Sequence, residues 1–214
     1  MCEDEPMTAP IVFYFDFISP FARLGAIGIE RLASKLGRSV EWRPVLIGIT
    51  VLQIMGMKPL PLTPLKGPYL KRDLERLSEW LGVPVPRHGL TGVNSVIASR
   101  AFLLLKREDE ACAQRFGRAI FDRLFAQGLD ITRLEDVLAV AREVGVYSAS
   151  LEETLGSPEA KDLLRRAVDD AVAAGIFGVP TFVADGETFW GNDHLWMVEQ
   201  WVRHHDFRVG GPEG

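Results

Sequence analysis

Hydrophobic residues occupy almost every position from 11 to 17, a pattern typical of a strand that is buried on both faces. Residues 40–46 instead alternate between apolar and polar, as in a strand with one buried face. The segment between them carries an apolar row at a spacing of four, Leu24, Gly28, Leu32 and Leu36, which predicts a helix ending at Gly37. Strand, helix and strand in this order predict a right-handed βαβ unit.

The middle of the chain is patterned as a series of helices. Residues 47–68 come first and are rich in proline and glycine, which predicts an extended connection. The first helical row that follows contains Leu74, Leu77 and Leu81. Glycines mark the ends of four predicted helices, at Gly82, Gly128, Gly145 and Gly175.

Strand character returns near the end of the chain. Residues 181–185 and 188–190 flank Asp185-Gly186, a strong signal for a tight β-hairpin, and a last helix is predicted from Asn192 to Trp201. The order β-α-β, helices, β-β-α predicts an α/β protein: a thioredoxin fold (residues 11–47 and 176–204) interrupted by a mostly helical insertion domain (residues 48–175). Three tryptophans are assigned to the core: Trp80, Trp190 and Trp196.

Composition narrows the functional classes. The chain of 214 residues is 47% hydrophobic and carries a net charge of −5, which argues against a nucleic-acid partner. No apolar run is long enough for a membrane span, and the first ten residues do not resemble a signal peptide, so we expect a cytoplasmic protein. The two cysteines, Cys2 and Cys112, do not form a disulfide or zinc motif, and Cys112 is expected in the core. Adjacent His204 and His205 point apart on a helix, so no metal site is predicted.

The turn after the first strand carries Ser19-Pro20, where a thioredoxin-type oxidoreductase needs a cysteine. Serine followed by proline is also a favoured way to begin any helix, which is one interpretation. The other is functional: a hydroxyl and the positive end of a helix can together stabilise a thiolate supplied by glutathione. Either way, a thiol–disulfide cycle is not expected at Ser19.

Other residues fit a glutathione site, each with a simpler alternative. Val179-Pro180 can mark the start of a strand, or its proline can be cis and leave the Val179 backbone free to pair with an extended peptide. Asn192 and Asp193 can cap the last helix, or hold the γ-glutamyl carboxylate and ammonium. Lys66 can be a solvated charge, or can meet the glycine carboxylate of glutathione.

These motifs resemble the 2-hydroxychromene-2-carboxylate isomerases, which are related to kappa-class glutathione transferases and to DsbA oxidoreductases. The resemblance extends from about Ile11 to Val202. It rests on five segments in the family's order: Phe15-Asp16-Phe17-Ile18-Ser19-Pro20, Lys66-Gly67-x-Tyr69-x-x-x-Asp73-Leu74, Asn94, Phe177-Gly178-Val179-Pro180-Thr181-Phe182 and Phe189-Trp190-Gly191-Asn192-Asp193.

The resemblance implies a homodimeric, glutathione-dependent enzyme in which Ser19 activates the thiol. It also implies the residues that line the glutathione site: Lys66, Val179, Pro180, Asn192 and Asp193. In such isomerases the thiolate adds to a hydroxychromene carboxylate, the opened ring rotates about the former double bond, and glutathione leaves. The partners would be glutathione, as cofactor, and a small aromatic or unsaturated organic acid.

The sequence departs from the family pattern mainly outside the glutathione motifs. Phe21 replaces a tyrosine, Met57 replaces an asparagine, and His194 replaces an arginine. Two alternatives therefore stay open beside the isomerase: a kappa-type transferase that keeps the conjugate as its product, and a glutathione- or peptide-binding protein without turnover.

Overall fold

The computed structural model describes residues 9–84 and 92–208 and contains one four-stranded sheet. Its order is β2-β1-β3-β4, with β1 and β2 parallel and the other two pairs antiparallel. The strands are β1 (Ile11–Phe15), β2 (Val40–Pro44), β3 (Thr181–Ala184) and β4 (Glu187–Trp190). The helices in these residues are α1 (Pro20–Lys35), α2 (Lys66–Leu81), α3 (Val96–Glu108), α4 (Glu110–Phe125), α5 (Leu134–Glu143), α6 (Ala149–Leu155), α7 (Pro158–Ala173) and α8 (Leu195–His204).

The predicted thioredoxin fold with a helical insertion is confirmed. Strand β1 lies in the middle of the sheet, and Phe13 and Phe15 have no exposed surface. Helix α1 connects the parallel strands β1 and β2, which is the predicted βαβ unit. The hairpin also forms as predicted, because Asp185 and Gly186 both take the positive φ angles, 48° and 85°, that its tight turn requires.

Two parts of the insertion differ from the sequence prediction. The connection between β2 and α2 is not wholly extended, since Gly48–Ile54 forms a π-helical turn and Leu60–Leu62 a 3₁₀ turn. The prolines that suggested an extended chain begin only at Pro59, beyond the π-helical turn. Helix α6 was not predicted; it has seven residues, and the side chain of Ser148 caps it by accepting from the N–H of Leu151.

The sheet and the insertion share a cluster of buried aromatic rings. Phe15 lies 5.3 Å from Phe102 of α3, and Phe17 lies 5.1 Å from Phe121 of α4, measured between ring centroids. Trp42 of β2 contacts the same two rings, at 6.2 and 6.3 Å. The hydrophobic core is therefore continuous across the predicted domain boundaries at 47/48 and 175/176, which themselves stay predictions.

Four assignments to the core were wrong, those of three tryptophans and of Cys112. Trp80 is 81% exposed, and Trp190 and Trp196 are each about half exposed. Cys112 is only partly buried at the start of α4, where its thiol contacts the Asp109 carboxylate, and Cys2 lies outside the described residues. Within residues 9–84 and 92–208, no helix is both long enough and apolar enough to cross a membrane.

Candidate active site

Ser19 caps the N-terminus of α1. Its Oγ accepts a hydrogen bond from the backbone N–H of Ala22 at 3.2 Å, and Pro20 occupies the first helical position. The residue is 7% exposed. The capping bond uses a lone pair of Oγ and leaves the hydroxyl proton free to donate. The capping role is therefore present, and it is compatible with the predicted second role as a donor to an anion in front of the helix.

The buried carboxylate of Asp16 lies beneath this turn. It accepts from the hydroxyl of Ser95 at 2.5 Å and from the backbone N–H groups of Ile18 and Ile47, at 3.2 and 2.9 Å. Burial raises the pKa of Asp16, and the three hydrogen bonds partly oppose that rise. Ile47 is the last residue before the predicted insertion, and Ser95 lies inside the insertion, immediately before α3. Asp16 therefore fixes the Ser19 turn to both parts of the chain. Sequence reasoning gave this residue no role, although a carboxylate at the end of an apolar strand was visible.

The Val179–Pro180 peptide bond is cis, as the functional interpretation requires. Hydrogen bonds hold the loop on either side of it. The Thr181 hydroxyl donates to the carbonyl of Gly178 at 2.7 Å, and the N–H of Gly191 donates to the carbonyl of Pro180 at 2.9 Å. Pro180 is buried, and Val179 is half-buried.

Gly25 brings α1 against the cis-proline loop. A Cβ atom placed on Gly25 would lie 2.8 Å from Cβ of Pro180 and 2.9 Å from Oδ1 of Asn192, closer than real side-chain atoms approach. The Asn192 amide also donates through Nδ2 to the carbonyl of Phe21 at 2.9 Å. The structure thus brings together the Ser19 helix, Pro180 and Asn192. The Asn192 amide nitrogen already has a partner within the protein.

Asp193 and His194 lie just before α8, at the exposed end of the cluster formed by α1, Pro180 and Asn192. The Asp193 side chain is 82% exposed, and its Oδ1 lies 3.4 Å from Nδ1 of His194. A Cβ atom on Gly191, whose φ is 102°, would collide with the same oxygen. A glycine at position 191 is therefore needed for the Asp193 carboxylate to fold back over the turn. The carboxylate stays accessible to a cationic ligand group.

Lys66 is separate from the others. It is the exposed first residue of α2, and its N–H donates to the carbonyl of Pro64 at 2.8 Å. This short bond closes a γ-turn around Leu65, whose φ is 65°. In the described part of the chain, no hydrogen bond or ion pair joins Lys66 to Ser19, Pro180, Asn192 or Asp193.

An aromatic pair flanks the cis-proline loop and was missed in the sequence. The rings of Phe177 and Trp190 are 5.2 Å apart and meet edge to face, and both residues are about half exposed. Nε1 of Trp190 lies 2.7 Å from where a Cβ of Gly178 would be, so the indole covers this glycine. Proximity to Pro180 in the sequence was the available signal. The pair offers an apolar surface to an aromatic ligand.

Cavities elsewhere in the described residues lie apart from the predicted site. Two surface cavities of about 290 and 480 Å³ lie along α3, one beside α6 and the other beside α7, and none of the predicted site residues lines either of them. Among the residues that the structure describes, no three His, Cys, Asp or Glu side chains are grouped to hold a metal.

Comparison with known proteins gives consistent matches over nearly the whole chain. The model of the DSBA-like thioredoxin domain family matches residues 10–203. A 2-hydroxychromene-2-carboxylate isomerase from Sphingobium xenophagum is 33% identical over 202 residues, covering 92% of this chain and 99% of its own. Human glutathione S-transferase kappa 1 is 27% identical, covering 92% and 94%. A solved structure of a 2-hydroxychromene-2-carboxylate isomerase matches with a TM-score of 0.79 and 27% identity, covering 90% and 94%.

Proposed function

Because the chain belongs to the DSBA-like thioredoxin domain family, and its relatives include 2-hydroxychromene-2-carboxylate isomerases, we propose that it is a glutathione-dependent isomerase of that type. The observation that carries the proposal is the position of Ser19. A hydroxyl with a free proton caps the helix that packs through Gly25 against the cis-proline loop. A cysteine there would support disulfide exchange, whereas a serine supports binding of a thiolate that belongs to another molecule.

The first role of the site is to favour the thiolate form of glutathione. A free thiol has a pKa of about 8.5, and lowering it by about 1.5 units takes roughly 2 kcal/mol of preferential binding to the anion. A hydroxyl donor and a helix N-terminus together are of that size. Ser19 supplies the donor, and α1 supplies the partial positive charge.

Bound glutathione would supply a nucleophilic thiolate that adds reversibly to an unsaturated carbon of the hydroxychromene carboxylate, so that the opened ring could rotate about the former double bond and glutathione would be regenerated with the trans product. The exposed rings of Phe177 and Trp190 offer such an aromatic acid an apolar surface beside the cis-proline loop.

The chemistry of the polar groups supports the remaining proposed contacts to glutathione. The backbone of Val179 pairs with the cysteinyl residue, and the exposed carboxylate of Asp193 pairs with the γ-glutamyl ammonium. Asn192 contributes by holding the first turn of α1 through Phe21. Lys66 pairs with the glycine carboxylate, which requires the ligand to extend to the start of α2. The enzyme acts in the cytoplasm as a homodimer.

A kappa-type glutathione transferase is the second candidate, because human glutathione S-transferase kappa 1 matches the same share of the chain, 92%, as the Sphingobium xenophagum isomerase, at a lower identity. Both candidates share the glutathione site and differ in whether the adduct is released as product. A protein that binds glutathione or a peptide without turnover is the third.

One assay separates these candidates. The protein is incubated with glutathione and 2-hydroxychromene-2-carboxylate, and products are followed by chromatography and mass spectrometry. The isomerase is expected to give the trans-benzylidenepyruvate with the glutathione concentration unchanged, and no conversion without glutathione. An accumulating conjugate would instead identify the transferase. Glutathione binding without turnover of this acid or of generic electrophiles would indicate the binding protein.

A further inference from the structure

One arginine is buried close to Ser19. Arg23 lies one turn further along α1, and its backbone N–H donates to the carbonyl of Ser19 at 3.2 Å. Only 5% of Arg23 is exposed. Charged side chains are almost never buried to this extent unless they are paired. The partners of Arg23 therefore decide how much of its charge is left uncompensated.

The guanidinium of Arg23 has more donors than partners. Nη1 donates to the carbonyl of Pro84, and Nη2 donates to Oδ1 of Asp122 on α4 at 2.9 Å. Nε is buried and has no hydrogen-bond partner in the described part of the chain. Asp122 is the only ion-pair partner of Arg23 among the described residues, and its side chain is 59% exposed, so water screens it. A buried positive charge is thus only partly compensated.

The same end of α1 also lies above a buried negative charge. The Asp16 carboxylate is 1% exposed, and the three hydrogen bonds that it accepts favour its ionised form. Such a charge disfavours a second anion close to it. The Ser19 hydroxyl and the helix N-terminus act in the opposite direction, and α1 has no acidic residue in its first turn. Asp193 and His194 are farther into solvent, with side chains 82% and 42% exposed.

Arg23 is placed to offset Asp16. Four residues of a helix rise about 6 Å, and helical side chains lean toward the N-terminus, so the guanidinium lies on the order of 10 Å from the Ser19 cap. One elementary charge at about 10 Å, in a medium with an effective dielectric constant of about 20, shifts a pKa by roughly one unit. Because Arg23 is buried, salt screens this effect less than that of a surface charge.

We propose that Arg23 stabilises a thiolate in front of Ser19 through space: its buried charge offsets that of Asp16, and it does not contact the sulfur. This deepens the proposed function, on which the role of Arg23 in turnover rests. A purely structural bridge between α1 and α4 would make Asp122 as necessary as Arg23. The electrostatic role gives Asp122 the opposite effect, because its carboxylate neutralises part of the arginine charge.

The first test measures this effect without glutathione. In a Cys2→Ser, Cys112→Ser background, Ser19→Cys places a thiol at the helix cap, and the ultraviolet absorbance of its thiolate is titrated against pH. Adding Arg23→Met is expected to raise the thiol pKa by about one unit. Arg23→Lys keeps the charge and is expected to preserve most of the effect. Adding Asp122→Asn instead is expected to lower the thiol pKa.

Arg118→Met is the matched control, because Arg118 on α4 also forms an ion pair with α1, through Glu30. Glu30 lies about 16 Å along the helix from Ser19, so this variant is expected to leave the thiol pKa unchanged. The proposal is wrong if Arg23→Met shifts the pKa no more than Arg118→Met, or if Arg23→Lys behaves like Arg23→Met. It is also wrong if Asp122→Asn fails to lower the pKa. Since Asp122 is mostly exposed, this last comparison decides the question even if Arg23→Met does not fold.

The second test returns to wild-type Ser19 and titrates the thiol of saturating glutathione in the same variants. The pKa of bound glutathione is expected to follow the same order, and any other order would overturn the role of Arg23 in turnover. A protein that does not bind glutathione would refute the proposed function, whereas the introduced thiol would still report the charge of Arg23. Conversely, an introduced thiol that ignores Arg23 would refute the inference and leave glutathione binding intact.

Discussion

Replacing Ser19 by alanine separates the two roles of this residue, because each has its own observable. The variant loses the bond from Ala22 N–H to Oγ, which is 3.2 Å long, so the free energy of unfolding is expected to fall by about 1 kcal/mol. It also loses the proposed donor to the thiolate. A hydrogen bond to a charged group is worth about 1.5–3 kcal/mol, and one pKa unit corresponds to about 1.4 kcal/mol. The pKa of bound glutathione is therefore expected to rise by about one to two units.

The assay is the ultraviolet absorbance of the thiolate, titrated against pH with protein saturated by glutathione. The chain supplies a matched control in Ser157, which caps α7 with the same geometry: a bond of 3.2 Å from Ala160 N–H, and Pro158 at the first helical position. Ser157→Ala is expected to cost similar stability and to leave the thiol pKa unchanged. If Ser19→Ala and wild type show the same thiol pKa, Ser19 is only a helix cap and the proposed mechanism is wrong.

Three further predictions concern the frame around the site. Gly25→Ala is expected to weaken glutathione binding at least tenfold, because the added Cβ would collide with Pro180 and Asn192. Isothermal titration calorimetry measures this affinity, and an unchanged value would show that the contact does not shape the site. Asn192→Ala should lower kcat/KM several-fold by releasing the first turn of α1, and full activity would argue against that positioning role. Paired with Arg38, the Asp185 carboxyl has a pKa below its ordinary 3.8, so it stabilises the fold above pH 3.8 and loses that effect as the pH falls through its lowered pKa. Asp185→Asn should therefore lower the free energy of unfolding by about 1 kcal/mol at neutral pH and leave it unchanged in strong acid. A loss of stability that persists in acid would contradict this.

The strands, the hairpin and most helices could be predicted because local chemistry determines them. The apolar run in β1 specifies a central strand, and Asp185-Gly186 specifies the turn, whatever the rest of the chain does. The Ser19-Pro20 and Val179-Pro180 motifs were recognisable for the same reason. Their proximity depends on a glycine at position 25, whose importance appears only when α1 is packed on the loop.

Long-range contacts were beyond the sequence pattern. Asp16 acts through Ile47 and Ser95, which are far away along the chain, so its neighbours gave no sign of its role. Trp80 illustrates a second limit. Periodicity shows which residues share one side of a helix, but α2 has apolar residues on both sides, and the pattern does not say which side faces the protein's own core.

The aromatic cluster that joins β1 and β2 to α3 and α4 also limits how this protein can be shortened. An insertion that shared no core with the sheet could be deleted, and the flanking segments of the chain could be joined. Here, removing residues 48–175 would leave Phe15, Phe17 and Trp42 without the rings of Phe102 and Phe121 that cover them. The segment is an insertion along the chain but not a detachable module, and a minimal version of the protein would need a redesigned surface in its place.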